Sequence, residues 1–425
     1  MMKSTNKYKN MSPATVELVE KSLANFFSKL ATERDFPDRI GIVLAAGAAT
    51  RFRPLTASRL HSERGELANK EHYSVVSWNK ASLPIANRPL ISYTIEDLIN
   101  SGFRYIIINV SQLHSAGSVI EATLRKTRLS EDIAITFLVE ECPSGTYGGV
   151  IKMLSLINSR RPIPDHTDVA IFSGDIYTEQ PGYEILRFHR EKKGAFTLML
   201  NEIPEDMKGE FGTVELNGNQ NIIGFHEKKP DSPSNLNNSS RYIAKFGLLR
   251  RWKEKLTPVP TDKRIHNSSE CFFDFGLHIF TRHLAEIKEA GFYGYASDKR
   301  WADLGRIADF HSINMYLLHQ RVVSRIYTGA LITNDCKISG NYTIRRGSTI
   351  CNRSELTDVS IGEGWIVNGA KLERTVLMPL PDGFSYEIEA GVELSDCVVG
   401  CGNINDSYSG KVIVFNGHDL VVNDI

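Results

Sequence analysis

No run of apolar residues in this chain approaches the ~20 that a membrane-spanning helix requires, which excludes a membrane-embedded class. An excess of charge is missing too, since 50 Lys and Arg face 50 Asp and Glu. No broad basic field therefore argues for nucleic acid as a partner, and any anion site must be built locally. Cysteine is sparse, with only Cys142, Cys271, Cys336, Cys351, Cys397 and Cys401, and no CxxC pair occurs. That excludes a disulfide framework and the common zinc ribbons, and it points to a reducing, cytoplasmic location. Met1 to Met11 is polar and lacks the apolar stretch of a secretory signal, so export is not expected. The 12 histidines are scattered, with no HExxH. What is present is ordinary for a globular protein, 41% hydrophobic and 24% charged, over 425 residues. That length is about three times a typical domain, so more than one domain is expected.

Three textures follow one another along the chain. Val16, Val19, Leu23, Phe26, Phe27 and Leu30 recur at steps of three and four, which predicts an amphipathic helix in an N-terminal extension spanning 1–36. From 37 to 328, apolar strand-like runs alternate with helix-like segments. Strands are expected at 40–46, 105–110, 134–139, 169–172 and 196–200, with helices at 90–101 and 148–157. Such alternation predicts a doubly wound α/β sheet that binds ligands at the carboxyl ends of its strands. From 329 to 425, Ile332, Ile338, Ile344, Ile350 and Leu356 are spaced by six, and Ile361 and Val367 continue out of phase. A hexapeptide period predicts a parallel β-helix, with 379–384 inserted between coils.

The chemistry-bearing motifs begin where the first strand ends, at Leu44-Ala45-Ala46-Gly47-Ala48-Ala49-Thr50-Arg51-Phe52-Arg53. Small residues let a backbone approach phosphate closely, and arginines supply charge-assisted hydrogen bonds. The wording is neither a P-loop nor a dinucleotide turn. It resembles the signature loop of the sugar-phosphate nucleotidyltransferases, and the resemblance continues in order. Asn79-Lys80-Ala81-Ser82-Leu83-Pro84 is similar to that family's lysine motif, Pro143-Ser144-Gly145-Thr146-Tyr147-Gly148-Gly149 to its nucleotide loop and Ser173-Gly174-Asp175 to its central Gly-Asp. Gly212 with Phe225-His226-Glu227-Lys228-Lys229-Pro230, and Trp301-Ala302-Asp303-Leu304-Gly305, resemble its two later elements.

The resemblance implies Mg²⁺-dependent transfer of a nucleoside monophosphate to a sugar 1-phosphate, with release of pyrophosphate. It places Arg51, Lys80 and Asp175 in catalysis, and Asp175 and Asp303 on Mg²⁺. Nucleotide contacts are implied for Leu44, Ala45, Ala46, Gly47, Thr50, Arg51, Glu141, Ser144, Gly145 and Thr146, and sugar-phosphate contacts for Gly212, Glu227, Lys228 and Asp274. It also implies a left-handed β-helix and a homo-oligomer. The short repeat favours the mannose-1-phosphate guanylyltransferase type, hence GTP; UTP- or dTTP-dependent transfer and a non-catalytic regulatory subunit are the alternatives. Three departures stand out. Ala49 replaces the usual glycine, residues 57–78 intervene before the lysine motif, and Asp274 stands where an amide usually meets the sugar.

Overall fold

The computed structural model describes residues 8, 11–47, 55, 58–61, 73–76, 78–112, 115–127, 129–255, 272–320, 325–380, 383–415 and 420–425. They fall into two compact units, Met1–Ala48 with Ile91–Ala302, and Ala49–Leu90 with Asp303–Ile425.

The first unit is built on a mixed sheet of nine described strands: β1 (Arg39–Leu44), β2 (Tyr105–Ser111), β3 (Ala134–Glu140), β4 (Asp168–Ser173), β5 (Phe196–Glu202), β6 (Gly212–Leu216), β7 (Ile222–Glu227), β8 (Leu236–Lys245) and β9 (Phe292–Ser297). Its parallel core has the order β3-β2-β1-β4, the doubly wound arrangement, and the topology reverses between β1 and β4. β8 joins antiparallel to β4 and carries β5 and β6. A strand forms at each expected place, the first ending at Leu44 rather than at 46, because each is an apolar run; β1 to β4 are buried as central strands must be, while β5 pairs antiparallel with β8 and parallel with β9.

Helices α1 (Pro13–Thr32), α2 (Leu90–Asn100), α3 (Ala116–Lys126) and α4 (Gly145–Asn158) flank the parallel core, and α5 (Gly182–Glu191) packs on β5, β8 and β9. α1 starts cleanly, with Pro13 in its first turn and the Ser12 hydroxyl accepting from the Thr15 N–H at 3.2 Å. Its predicted apolar stripe lies against β3 and α3, burying Val19, Phe26 and Leu30. In the same buried cluster as Phe26 and Leu30, Phe196 packs on Trp252, Tyr242, Phe275, Phe280 and Phe292, with ring centroids 5.5 to 5.8 Å apart. These rings back the chain segment that follows Phe273.

The second unit is a stack of short parallel strands consistent with a parallel β-helix. Ile326, Ile332 and Ile338 stand against Ile344, Ile350 and Leu356, three hexapeptides on, as the period requires. Ile344, Ile350, Leu356, Ile361 and Val367 are buried, whereas Ile332 and Ile338 in the first coil are half-buried because no described strand precedes them. The coil holding Pro379 to Phe384 is longer than its neighbour, since Leu372 pairs with Leu394 where Leu356 pairs with Leu372. The antiparallel pair Lys411–Phe415 and Leu420–Asp424 closes the stack. Of the expected insertion, 58–61 and 73–76 form an antiparallel hairpin in this unit, with 58–61 beside the strands Val398–Cys401 and Lys411–Phe415. No helix among the described residues is long and apolar enough to cross a membrane.

Candidate functional site

The carboxyl ends of β1, β2, β3 and β4 converge at the switch point, where a doubly wound sheet binds ligands. Leu44 stands opposite Asn109 on one side and Ser173 on the other. The chain then turns outward through Ala45, Ala46 and Gly47, the first two buried and the third exposed. A buried polar chain fixes this turn. The Ala45 N–H donates to Asn109 Oδ1 at 2.9 Å, Asn109 Nδ2 donates to Glu140 Oε2 at 3.0 Å, and the Ser144 hydroxyl donates to Glu140 Oε1. Lys152 adds an ion pair to Glu140 at 3.4 Å. The turn after β1 and the start of α4, both expected from the sequence to meet nucleotide, are thus joined through the side chains of Asn109 and Glu140. Thr50 and Arg51 lie outside the described residues.

The start of α4, from its N-cap Ser144 to Gly148, is laced to a segment more than a hundred residues later. Phe273 N–H donates to Ser144 O at 2.9 Å, and the N–H groups of Tyr147 and Gly148 both donate to Phe273 O, at 3.0 and 3.1 Å. Gly145 makes that approach feasible. Its φ is +82°, and a Cβ there would stand 2.2 Å from Phe273 O. Asp274 is then drawn in, since the Thr146 hydroxyl donates to its Oδ2 at 2.9 Å while the Phe275 N–H donates to Thr146 Oγ1 at 2.9 Å. Asp274 Oδ1 accepts from the N–H groups of Gly276 at 2.8 Å and Leu277 at 3.2 Å, capping the turn Phe275–Phe280. Both oxygens of Asp274 are therefore engaged within the protein.

Gly212 and Glu227, expected from the sequence to meet the sugar phosphate, sit on β6 and β7 and face each other directly in the antiparallel register. The half-buried Glu227 carboxylate occupies space that only glycines leave open: a Cβ on Gly276 would be 2.4 Å from Glu227 Oε2, and one on Gly212 would be 2.8 Å from it. Burial pushes the Glu227 carboxyl above its ordinary range, the charge of Asp274 pushes it further, and Lys228 opposes both. Lys228 is exposed and takes a left-handed backbone (φ 50°), its N–H donating to Phe211 O at 3.0 Å. Gly145, Thr146, Asp274, Gly276, Glu227 and Gly212 are thereby brought into one connected patch of the first unit. Glu141, expected to read the base, is exposed in the bend after β3, while its neighbour Glu140 makes the buried contacts.

Asp175 is half-buried just past the end of β4, and its Oδ1 accepts from the Ser173 hydroxyl at 2.6 Å. In the second unit Asn79 caps a single turn, accepting from the Ala81 N–H at 2.9 Å, and this turn presents Lys80. Lys80 Nζ donates to Asp303 Oδ1 at 3.1 Å, so two residues singled out from the sequence do meet. Their side chains are 13% and 20% exposed, which makes this a charge-assisted bond partly shielded from water rather than a surface pair. Among the described residues no three His, Cys, Asp or Glu side chains gather as a metal cage. Hard carboxylate oxygens such as those of Asp175 and Asp303 fit Mg²⁺, which is commonly held by one or two carboxylates with the remaining positions taken by phosphate and water.

Asn109 and Glu140 were not singled out from the sequence, though a signal existed: each is a polar residue at the end of a strand that is otherwise apolar. Phe273 contributes only backbone, which no side-chain motif reveals. Glucose-1-phosphate adenylyltransferase of Desulfitobacterium hafniense is 27% identical over 60% of this chain and 62% of its own length, so the match spans less than two thirds of that relative. The enzyme of the same name from Trichlorobacter lovleyi is 23% identical over 89% of this chain and 95% of its own. Mannose-1-phosphate guanylyltransferase of Mycobacterium tuberculosis is 23% identical over 78% and 82%. The sequence profile of the nucleotidyl transferases matches residues 76–320, more than half of the chain, and the chain belongs to the nucleotidyl transferase family.

Proposed function

We propose that this protein transfers a nucleoside monophosphate from a nucleoside triphosphate to a sugar 1-phosphate, forming a nucleoside diphosphate sugar and pyrophosphate. The observation that carries the reading is the link from the nucleotide loop to the sugar-side acid: Thr146 is bonded to Asp274, and Glu227 rests over Gly276 two residues on. A reaction of two anionic substrates needs both held in one geometry, because repulsion between them must be overcome by positioning and by fixed positive groups. No strong general base is required, since the attacking phosphate oxygen already carries charge.

In this proposal Leu44, Ala45, Ala46 and Gly47 offer backbone to the nucleotide, Thr50 and Arg51 take its triphosphate, Glu141 reads the base edge, and Ser144, Gly145 and Thr146 hold the nucleoside. Gly212, Glu227 and Lys228 take the sugar phosphate. Lys80 balances charge on the reacting phosphates. Asp175 and Asp303 would hold Mg²⁺, which when bound supplies Lewis-acid neutralisation of phosphate charge. The reading includes a catalytic region at 37–328, a left-handed repeat at 329–425, a cytoplasmic homo-oligomer, and GTP with mannose 1-phosphate as the preferred pair. Adenylyl- and guanylyltransferases stand among the relatives at similar identity, so base choice rests on the short repeat alone.

The test is pyrophosphate release from the purified full chain with Mg²⁺, across GTP, ATP, UTP, dTTP and CTP against mannose, glucose, N-acetylglucosamine and heptose 1-phosphates. Turnover with one pair is the expected result and names both substrates. Silence across the matrix from folded protein would overturn catalysis with these sugars and favour the non-catalytic regulatory subunit.

A further inference from the structure

Asp274 stands where the family resemblance puts an amide against the sugar, yet its surroundings assign its atoms elsewhere. One oxygen accepts from two consecutive backbone N–H groups, at 2.8 and 3.2 Å, and the other accepts from Thr146 at 2.9 Å. Its own N–H donates to His278 Nδ1 at 2.8 Å, closing the turn from the other side. A carboxylate is the acceptor this arrangement needs. The Thr146 hydroxyl receives a bond from the Phe275 N–H and donates its own proton to Asp274 Oδ2, a bond that a carboxylate accepts on this side while its other oxygen caps the turn, and that an amide nitrogen would not accept.

We infer that Asp274 is a positioning residue: by capping the turn at Gly276 and holding the Thr146 hydroxyl, it locks the nucleotide loop to the backbone on which Glu227 rests, so one side chain sets both substrate subsites. This rests on the proposed function for the names of those subsites, but the lock itself is a property of the fold. It has two consequences. The start of α4 at Ser144–Gly148 is ordered before nucleotide arrives, because Tyr147 and Gly148 are already bonded to Phe273 O. Binding then does not have to supply that ordering. The second consequence is electrostatic, since a fixed negative charge close to Glu227 biases that acid toward its protonated form. The charged and titratable groups around Glu227 are Asp274, Lys228 and the buried Tyr242, whose hydroxyl accepts from Asn238 Nδ2 at 3.0 Å; His278 lies on the far side of Asp274.

The experiment compares the full chain with Asp274→Ala, Asp274→Asn and Thr146→Val by three measurements. Hydrogen exchange of the Tyr147 and Gly148 amides is expected to quicken in Asp274→Ala and Thr146→Val; unchanged exchange in both would overturn the lock, whatever the activity. Binding of nucleoside triphosphate without sugar, by titration calorimetry, is expected to weaken about tenfold in Asp274→Ala, as the loss of a charge-assisted bond implies. Asp274→Asn, which keeps an acceptor for the turn, is expected to recover part of that loss. A sugar contact alone would instead raise the KM for sugar 1-phosphate and leave nucleotide binding intact, which would also overturn the inference. Third, the acid limb of kcat/KM for sugar 1-phosphate is expected to move to lower pH in Asp274→Asn, since removing the neighbouring charge lets Glu227 ionise earlier. An acid limb that stays in place would refute the coupling to Glu227. A wild-type chain that binds no nucleotide would count against the proposed function, and the exchange measurement would still decide the lock.

Discussion

His189 is wholly buried on α5, at the end of the sheet opposite the strand carboxyl ends, with Nδ1 sharing a hydrogen bond with Thr197 Oγ1 at 2.8 Å and Nε2 3.5 Å from Asp168 Oδ1. Burial lowers its pKa from the ordinary histidine value, and Asp168 only partly restores it. Burial would raise Asp168, but contacts from His189, Lys245 and Arg190 outweigh it and hold that carboxyl far below the usual range. The signs give separate pH windows. A histidine depressed on folding is protonated more readily when unfolded, so its contribution is present above about pH 6.5 and is lost as pH falls below it. The depressed Asp168 contributes above about pH 3.9 and is lost only below that. Urea unfolding at pH 7.5 and 5.5 is therefore expected to show a smaller pH-dependent drop in His189→Asn than in the wild type. An equal drop would assign the titration to other residues. None of this network was visible in the sequence, because Asp168, His189, Thr197 and Lys245 come from four elements and only the sheet register brings them together.

At the scale of elements, legibility followed from how local each signal was. The parallel strands and α1 could be read because their apolar spacing encodes burial directly, and the hexapeptide period encoded both the coils and the oversized coil at 379–384. The site was legible only in part. Motifs named Lys80, Asp303, Thr146, Asp274 and Glu227, but pairings such as Thr146 with Asp274 depend on segments 128 residues apart and leave no local pattern. The hairpin after Lys80 shows how a short element depends on distant support. Pro84-Ile85 pairs with Arg88-Pro89 around Ala86 and Asn87, both left-handed, the turn type suited to a two-residue hairpin. Asn tolerates that conformation, and its Nδ2 donates to Ile361 O at 2.9 Å in the repeat. Asn87→Ala loses both advantages and leaves a buried carbonyl without this donor, at a cost of about 1–3 kcal/mol. Asn87→Gly keeps the backbone freedom and loses only the side-chain bonds, to Ile361 O and, at 3.3 Å each, to Thr343 O and Oγ1. Denaturant unfolding is expected to order the chains wild type, Asn87→Gly, Asn87→Ala; equal midpoints would show the bond contributes nothing.

For the whole molecule, the decisive feature is that the chain enters the second unit twice, at 49–90 and again from 303 onward. The lysine-motif segment is consequently supported by residues that lie far beyond it. Ala86 N–H donates to Asn314 Oδ1 at 2.8 Å, Arg345 donates to Asn87 O, and a Cβ on Gly400 would stand 2.9 Å from Leu55 Cδ2, so buried Leu55 rests on a late coil of the repeat. His311 on the helix Ile307–Gln320 is bonded to Arg374 O at 2.6 Å, which ties the segment after Asp303 to the same stack. The family profile ends at residue 320, and by that measure the repeat could be removed. The contacts argue the opposite. A chain ending after Thr328 would expose Leu55 and strip Asn87 of its acceptor at Ile361 and of the Arg345 bond to its carbonyl, loosening the hairpin that follows the Lys80 turn. Burial of one large apolar side chain is worth about 1.5–3 kcal/mol, so losing Leu55 together with these hydrogen bonds removes a sizeable part of a stability of about 5–15 kcal/mol. The truncated chain is expected to lose pyrophosphate release and to be cut by protease within 78–90, where the full chain resists, while helix α4 and the sheet strands keep their protection in hydrogen exchange. Full activity from the truncated chain would show that the lysine segment holds its shape without the repeat.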